Sequence, residues 1–159
     1  MINNIKTIDN NQGHKLNIAG GAYRIIVSGK DTNGAYAIIE MTVPVGAGPV
    51  PHAHPNFEEI FYVIEGELNF RSETGHYTAQ KGATVFIPKG GIIHNFKNNS
   101  DKPATLLCTV IPAGLDDFFV EVNEFIHSNQ NKQTDLKERI QLISEKYGQK
   151  LYDANFWDL

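Results

Sequence analysis

From about residue 22 to residue 111, short runs of β-branched and aromatic residues alternate with Gly, Pro, Asn and Asp. This alternation is typical of a β-sandwich or small barrel, in which turns connect many short strands. The pattern predicts seven strands, at residues 23–27, 36–43, 59–65, 68–71, 84–87, 94–97 and 104–110. After the third of them, Glu65 and Gly66 predict a tight hairpin turn, because glycine adopts positive φ without strain.

The third predicted strand has apolar residues on both of its faces. They fall at even and odd positions alike: Ile60, Phe61, Tyr62, Val63 and Ile64. A half-exposed strand would carry polar residues on one face. We therefore expect the outer face to be covered, and docked helices and a homodimer interface are both compatible with the sequence.

After Pro112 the spacing of apolar residues becomes helical, which predicts two helices. One apolar stripe comprises Leu115, Phe118, Phe119, Val122, Phe125 and Ile126. The second comprises Leu136, Ile140, Ile143 and Tyr147. Thr134 is the predicted N-cap of the second helix, Gly148 its predicted end, and residues 128–133 the predicted linker between the helices. Two helices are too small to form their own core, so we expect their stripes to lie against the outside of the barrel or against another subunit.

Length and charge narrow the choice of partners. A chain of 159 residues predicts one domain, with a barrel at about residues 14–112 and a helical extension at about 114–148. The net charge is −4 and the basic residues are scattered, so we expect no nucleic-acid partner. We also expect no membrane span, because no stretch approaches the roughly 20 apolar residues that a membrane helix needs. A small-molecule ligand is the expected partner.

Cysteine content and the first residues bear on the compartment. Cys108 is the only cysteine and lies in an apolar run, which excludes an intramolecular disulfide and predicts a buried thiol. Residues 1–12 are polar and lack the basic and apolar parts of a secretion signal. We therefore expect a cytoplasmic protein.

The candidate chemistry lies in three histidines and a glutamate. His52 and His54 are two positions apart, so in an extended segment both imidazoles project from the same face and can reach one ion. Glu59 has the opposite parity, and a turn predicted after His54 brings its carboxylate to the same side. His94 begins a later strand. Together these groups predict one divalent transition metal per chain, which can be Fe, Mn, Ni, Zn or Cu, with one or two coordination positions left open.

The spacing of these residues resembles a known pair of motifs. Gly46, His52, His54, Glu59 and Gly66 match the first motif of the cupin superfamily, G(x)5HxH(x)4E(x)6G, at every position. The resemblance implies a mainly β fold, a double-stranded β-helix or jelly-roll barrel, followed here by two C-terminal α-helices. It also implies that the two histidines and the glutamate are metal ligands.

The second cupin motif, G(x)5PxG(x)2H(x)3N, resembles residues 82–98. Gly82, Pro88, His94 and Asn98 match it, but three residues separate Gly90 from His94 where the pattern has two. We expect this departure to change the turn and not the ligand, because His94 keeps its distance from Asn98. The resemblance thus implies that His94 completes the metal site.

Within the superfamily, the chain is most similar to quercetin-2,3-dioxygenase-like single-domain members. The similarity lies in the FYVIEGEL and IPAGLDDFF runs and covers roughly residues 46–119. It implies a metal-dependent dioxygenase of a small aromatic or phenolic molecule, in which Glu59 is both a ligand and the catalytic general base. The same metal cup supports other functions, so a non-catalytic ligand-binding or sensing cupin and a metal-dependent isomerase are the alternatives.

Other residues near the motifs are candidates for a substrate pocket. Phe57, Phe61 and Phe96 can wall such a pocket, although aromatic residues in a barrel are also ordinary core. Phe61 is favoured because it shares strand parity with Glu59, whereas Glu58 has the opposite parity and is expected to face solvent. The remaining histidines lack partners at ligand spacing and are expected to be exposed or capping residues: His14, His76 and His127.

Overall fold

The computed structural model describes residues 4–18, 20–128 and 136–158, and within them the chain forms two antiparallel sheets followed by two helices. The strands are β1 His14–Ile18, β2 Gly21–Val27, β3 Ala37–Val43, β4 His52–Ala53, β5 Glu58–Glu65, β6 Glu67–Ser72, β7 Gly75–Gln80, β8 Thr84–Ile87, β9 His94–Lys97, β10 Ala104–Ile111 and β11 Lys150–Leu151. The helices are α1 Leu115–Ser128 and α2 Leu136–Lys146, and a 3-10 turn occupies Phe156–Asp158.

The strand order identifies the topology. One sheet has the order β1-β2-β3-β10-β5-β8, and the other has the order β11-β4-β9-β6-β7. Strands that are distant in sequence thus lie side by side, as in a jelly roll. The predicted mainly β fold with two C-terminal helices is confirmed.

The seven predicted strands are all present, with bounds that differ by at most two residues. Four further strands were not predicted: β1, β4, β7 and β11. Two of them, β4 and β11, have only two residues each. β7 exposes most of its side chains, so it lacks the apolar alternation by which strands are recognised.

The predicted hairpin at Glu65 and Gly66 is wrong. β5 pairs with β10 on one edge and with β8 on the other, so it has no free edge for β6. β6 pairs instead with β7 and β9 in the second sheet. Gly66 has a φ of 80°, and a Cβ atom at this position would lie only 3.0 Å from Ala104. The turn therefore carries the chain from one sheet to the other at a point where a side chain would crowd Ala104 and strain the backbone.

The core lies between the sheets and follows strand parity. β10 buries every second residue: Ala104, Leu106, Cys108 and Val110. In β5, Glu59, Phe61 and Val63 are buried, whereas Tyr62 on the other face is exposed. Glu59 is thus the one charged side chain of β5 that points into the core, among the apolar residues of both sheets.

The helices cover the inner face of the first sheet at one end. α1 contacts β1 and β3, and α2 packs on α1. Their buried residues belong to the same core as the strands: Leu115, Phe118, Val122 and Ile143. Tyr23 of β2 packs edge-on against Phe119, with a ring-centroid distance of 5.1 Å. The expectation that the helical stripes lie on the outside of the barrel is therefore wrong. The stripes instead cover the inward-facing residues of β2 and β3.

The outer face of β5 has no helix over it within the described residues. Tyr62 on β5 and Phe86 on β8 remain 45% and 56% exposed. Neither described helix is thus the cover of this face, and the homodimer stays a prediction. Gly148, with a φ of 77°, follows α2 as predicted, whereas the predicted N-cap Thr134 and residues 129–133 of the predicted linker lie outside the described residues.

Neither described helix combines the length and the apolar character that crossing a lipid bilayer requires.

Candidate metal centre

Four buried side chains from both sheets meet inside the barrel. His52 lies on β4 directly opposite His94 on β9, and His54 follows β4. Glu59 comes from β5 in the other sheet. The exposed fractions of His52, His54, Glu59 and His94 are 8%, 1%, 3% and 2%. These are the four residues that the sequence analysis predicts as ligands, and we call them the His/Glu cluster.

The distances within the His/Glu cluster suit one ion. One nitrogen or oxygen atom from each of the four residues lies within 4.8 Å of the others. His54 Nε2 lies 2.8 Å from Glu59 Oε2 and 3.2 Å from His94 Nε2, and His94 Nε2 lies 3.4 Å from Glu59 Oε2. Ligands about 2.1 Å from a metal and at right angles to each other are about 3 Å apart. The cluster therefore fits a metal site.

Hydrogen bonds to the backbone orient all three imidazoles. His52 Nδ1 donates to Val50 O at 2.9 Å, His54 Nδ1 donates to Phe57 O at 3.0 Å, and His94 Nδ1 donates to Ile92 O at 2.9 Å. In its neutral form, with the proton on Nδ1, each ring has the Nε2 lone pair available for an ion at the centre of the cluster. Such outer hydrogen bonds are the usual means by which proteins orient metal-binding histidines.

Two turns bring the ligands together. Between His54 and Glu59 the chain turns at Pro55 and Asn56, which reverses the parity as the sequence analysis predicts. Before His94, Gly90 and Gly91 both have positive φ, at 122° and 79°, and Gly90 N donates to Pro55 O at 3.1 Å. The extra residue of the second motif is thus absorbed in a glycine turn, and the His94 ring stays in the cluster.

The charges within the cluster favour a bound cation. Burial lowers the pKa of His52 to about 4, with a smaller contribution from His94, so this ring is neutral near pH 7. Burial also lowers the pKa of His54, but its hydrogen bond to Glu59 and the charge of that carboxylate outweigh burial and raise the pKa above its ordinary value. Burial raises the pKa of Glu59, but hydrogen bonds with His54 and His94 outweigh it and hold the pKa well below the ordinary value. A metal ion bound here would replace the proton shared by His54 and Glu59, so its binding would be linked to proton release.

Two further titratable groups face Glu59. Cys108 Sγ lies 3.9 Å from Glu59 Oε1, and burial, helped by that carboxylate, raises the pKa of the thiol well above its ordinary value. Burial likewise raises the pKa of Tyr23 to about 12, with smaller contributions from Cys108 and Glu59. Both groups are therefore neutral, and Cys108 is the buried thiol that its apolar surroundings predict.

A cavity of about 660 Å³ extends from the cluster towards the helices. His52 and Glu59 line it, whereas His54 and His94 lie behind them. The volume lies within the range of about 300–1,000 Å³ that is usual for small-molecule sites. One side of the His/Glu cluster is therefore open to a space that can hold a ligand.

The predicted pocket residues have different positions. Phe61 and Phe96 line the cavity. Phe57 is not part of the lining, because its ring stacks on His54 with a centroid distance of 4.1 Å and packs behind the cluster. Glu58 is half-buried, so it is less open to solvent than predicted. The other histidines are exposed and do not belong to the cluster, although His127 lines the cavity: His14, His76 and His127.

Sequence reasoning missed much of the cavity wall. Tyr23 and Met41 face inward from β2 and β3, and their strand parity is a signal that could have identified them. Phe118 lies on the predicted apolar stripe, but nothing in the stripe shows that it faces a cavity. Gln149 follows the predicted end of a helix in a polar stretch and carries no sequence signal at all.

Comparisons with known proteins agree with this geometry. Residues 39–110 match the family model of the cupin domain. An uncharacterized protein of Methanocaldococcus jannaschii is 32% identical over 76 residues, which cover 48% of this chain and 60% of that protein. Quercetin 2,3-dioxygenase of Bacillus subtilis is 21% identical over 112 residues, which cover 70% of this chain and 33% of that protein. The chain thus spans less than two thirds of the length of both relatives.

Solved structures show the same fold. A sugar phosphate isomerase of the cupin superfamily from Silicibacter pomeroyi superimposes with a TM-score of 0.60 at 20% sequence identity. The match covers 69% of this chain and 77% of that chain. At this level of identity the likeness concerns the fold alone. The family match of residues 39–110, the fold and the His/Glu cluster thus all agree with a cupin domain.

Proposed function

We propose that the chain binds one divalent transition-metal ion at His52, His54, Glu59 and His94 and is a dioxygenase of a small aromatic or phenolic molecule. The observation that carries the proposal is the opening of a buried three-histidine, one-carboxylate cluster onto a cavity of about 660 Å³ with mainly apolar walls. The metal can be Fe, Mn, Ni, Zn or Cu, since such a ligand set accepts all of them.

The side chains of the cluster have distinct roles in this proposal. The three imidazoles hold the ion through Nε2, and a bound metal would supply Lewis acidity towards a substrate hydroxyl and couple the substrate to dioxygen. Glu59 lines the cavity as a carboxylate, so it can accept the proton of that hydroxyl. Phe61 and Phe96 bound the space beside it and exclude water from the reacting group.

The cavity wall indicates the class of substrate. Apolar side chains dominate the wall, and none of the described residues that line it is Lys or Arg. Phosphate groups are usually bound by such cations, so a phosphorylated sugar is disfavoured. A planar aromatic molecule with a metal-binding hydroxyl suits the wall better, and the similarity to a protein named quercetin 2,3-dioxygenase agrees with this class.

The test is oxygen consumption by the reconstituted protein. We expect protein purified without added metal, then loaded anaerobically with Fe(II), Mn(II) or Ni(II), to consume one equivalent of dioxygen per phenolic substrate, with quercetin as the first compound. The Glu59→Gln variant is expected to be at least about 100-fold slower, because it loses the general base. The His76→Ala variant alters an exposed histidine outside the cluster and serves as the matched control.

The outcomes separate the three functions. If no metal form consumes oxygen with any of a panel of phenolic and enediol compounds, the dioxygenase proposal is wrong. A ligand that binds tightly and is recovered unchanged would then identify a binding or sensing protein. A rearranged product formed equally well without oxygen would identify an isomerase.

We also infer that the chain forms a homodimer through the outer face of β5. Apolar side chains from three adjacent strands form one patch, which we call the outer patch: the exposed Tyr62 and Phe86 and the half-buried Ile60 and Leu107. Contiguous exposed apolar surface of this kind commonly marks a protein interface. Because β5 is apolar on both faces, its outer face is expected to be covered. The same patch of a second copy would supply this cover.

Sedimentation equilibrium tests the dimer. We expect a mass of twice the 17.7 kDa of one chain, and a shift to one chain in a Tyr62→Lys, Phe86→Lys double variant. Tyr77→Lys, at a similarly exposed tyrosine on the other sheet, should leave the mass unchanged. A wild-type protein that sediments as a single chain would exclude this interface.

A further inference from the structure

Gln149 places an unpaired polar group in the wall of the cavity. The residue is only 6% exposed and lines the same cavity as His52 and Glu59. Its Nε2 atom has no hydrogen-bond partner, and it is the one buried side-chain nitrogen or oxygen in this condition within the described residues. An amide in this state has lost its water without gaining a partner from the protein.

The backbone holds Gln149 on both sides. Gln149 N donates to Ser144 O at 2.9 Å, immediately after the turn at Gly148 that ends α2. On the other side, β11 begins at the next residue and pairs with β4, where Leu151 lies opposite His52. The C-terminal segment is thus tied to the strand that carries a predicted metal ligand, and the position of the Gln149 amide relative to the cluster is set by regular backbone pairing.

The neighbouring groups described on the wall leave this amide without a partner. Ser144 Oγ donates to Ile140 O at 2.8 Å and makes no hydrogen bond to Gln149 Nε2. The side chains of Phe118, Val122 and Leu151 that share the cavity wall are apolar. A buried polar group without a partner destabilises the folded protein, and such groups are retained where they contact a ligand.

We propose that Gln149 determines ligand specificity, by donating a hydrogen bond from Nε2 to an oxygen atom of the molecule in the cavity. The inference rests on the proposed function, because the same molecule would place its metal-binding oxygen at the side of the cluster formed by His52 and Glu59. The ligand is therefore an aromatic body with two separate oxygen functions. One binds at the cluster, and the other, a peripheral hydroxyl or carbonyl, accepts from Gln149.

Two flavonols that share the metal-binding group test this assignment. Quercetin and 3-hydroxyflavone carry the same hydroxyketone, but only quercetin has further hydroxyl groups on its outer rings. Binding of each to the Ni(II)-loaded, oxygen-free protein would be measured by fluorescence titration. We expect Gln149→Met to lower the affinity for quercetin about tenfold, because one buried hydrogen bond is lost. The affinity for 3-hydroxyflavone is expected to change by no more than about twofold.

The ligand-free protein provides a second measurement. Methionine has nearly the same shape as glutamine and needs no partner, so Gln149→Met is expected to raise the unfolding midpoint by about 3 °C. Gln141→Met, at an exposed position of α2, is the matched control and should change neither binding nor the midpoint. A lower midpoint in Gln149→Met would show that the amide has a partner within the protein, and the assignment would be wrong.

The remaining outcomes are distinct from those of the oxygenase test. Equal weakening of both flavonols, or no weakening of either, would overturn the role of Gln149 and leave oxygen consumption as a separate result. Selective weakening without oxygen consumption would support Gln149 and overturn the dioxygenase. If the wild-type protein binds neither flavonol, the phenolic ligand class and the role of Gln149 both fail.

Discussion

Replacement of His94 by alanine is expected to reduce the affinity for metal by at least about 100-fold, since even the loss of a group that only orients a ligand costs 10- to 100-fold. The variant would keep His52, His54 and Glu59. It would lose the imidazole that β9 contributes directly opposite His52. Elemental analysis after dialysis is expected to show about one equivalent of metal in the wild-type protein and almost none in the variant.

The His94→Ala result needs a control for folding. His76→Ala removes an exposed histidine from β7 and should retain the full equivalent of metal. Unchanged circular dichroism of both variants would show that the barrel is intact. A folded His94→Ala protein that still binds a full equivalent would contradict the assigned metal site and, with it, the proposed function.

Replacement of Asn98 by alanine is expected to lower the free energy of unfolding by about 3 kcal/mol, because a buried carbonyl and a partly buried carbonyl lose their donor. Asn98 is fully buried, and its Nδ2 atom donates to Val43 O at 3.0 Å and to Lys102 O at 2.8 Å. Its Oδ1 atom accepts from the backbone and the hydroxyl of Ser100. Asn98 therefore joins the end of β3 to the loop between β9 and β10. Urea unfolding measures the change.

Asn99→Ala is the matched control for Asn98, since the neighbouring residue has the same side chain and is exposed. We expect the control to stay within about 0.5 kcal/mol of the wild type. The Asn98→Ala protein should still bind metal while folded, because Asn98 contributes no atom to the cluster. If Asn98→Ala lost metal but kept its stability, the structural role assigned to Asn98 would be wrong, and the residue would act at the metal site.

The sequence was a good guide wherever the information is local. Strand parity assigned Phe61 to the inner face of β5, and both motifs identified the four clustered residues, all of which are buried together. Parity and motif spacing are properties of a short stretch of chain, and they survive in any fold that keeps the strands extended. For the same reason, the apolar stripe predicted α1 but not the surface on which it packs.

Relations between distant segments were beyond the sequence. The turn at Gly66 looks like a hairpin turn, yet β6 joins the other sheet, because both edges of β5 are already paired. Phe57 is a pocket candidate as an aromatic residue near the first motif, yet its ring stacks on the imidazole of His54. In each case the local pattern permits two arrangements, and strand pairing or side-chain packing elsewhere selects one of them.

By itself, the sequence determined the β-rich architecture, the two C-terminal helices and the His/Glu cluster, because hydrophobic period and motif spacing encode them directly. Only the tertiary structure decided that the helices close a cavity beside that cluster and that β11 brings Gln149 into its wall. A cavity is bounded by residues from distant segments, here from β1 to β11, and its shape depends on the pairing and packing of the whole chain.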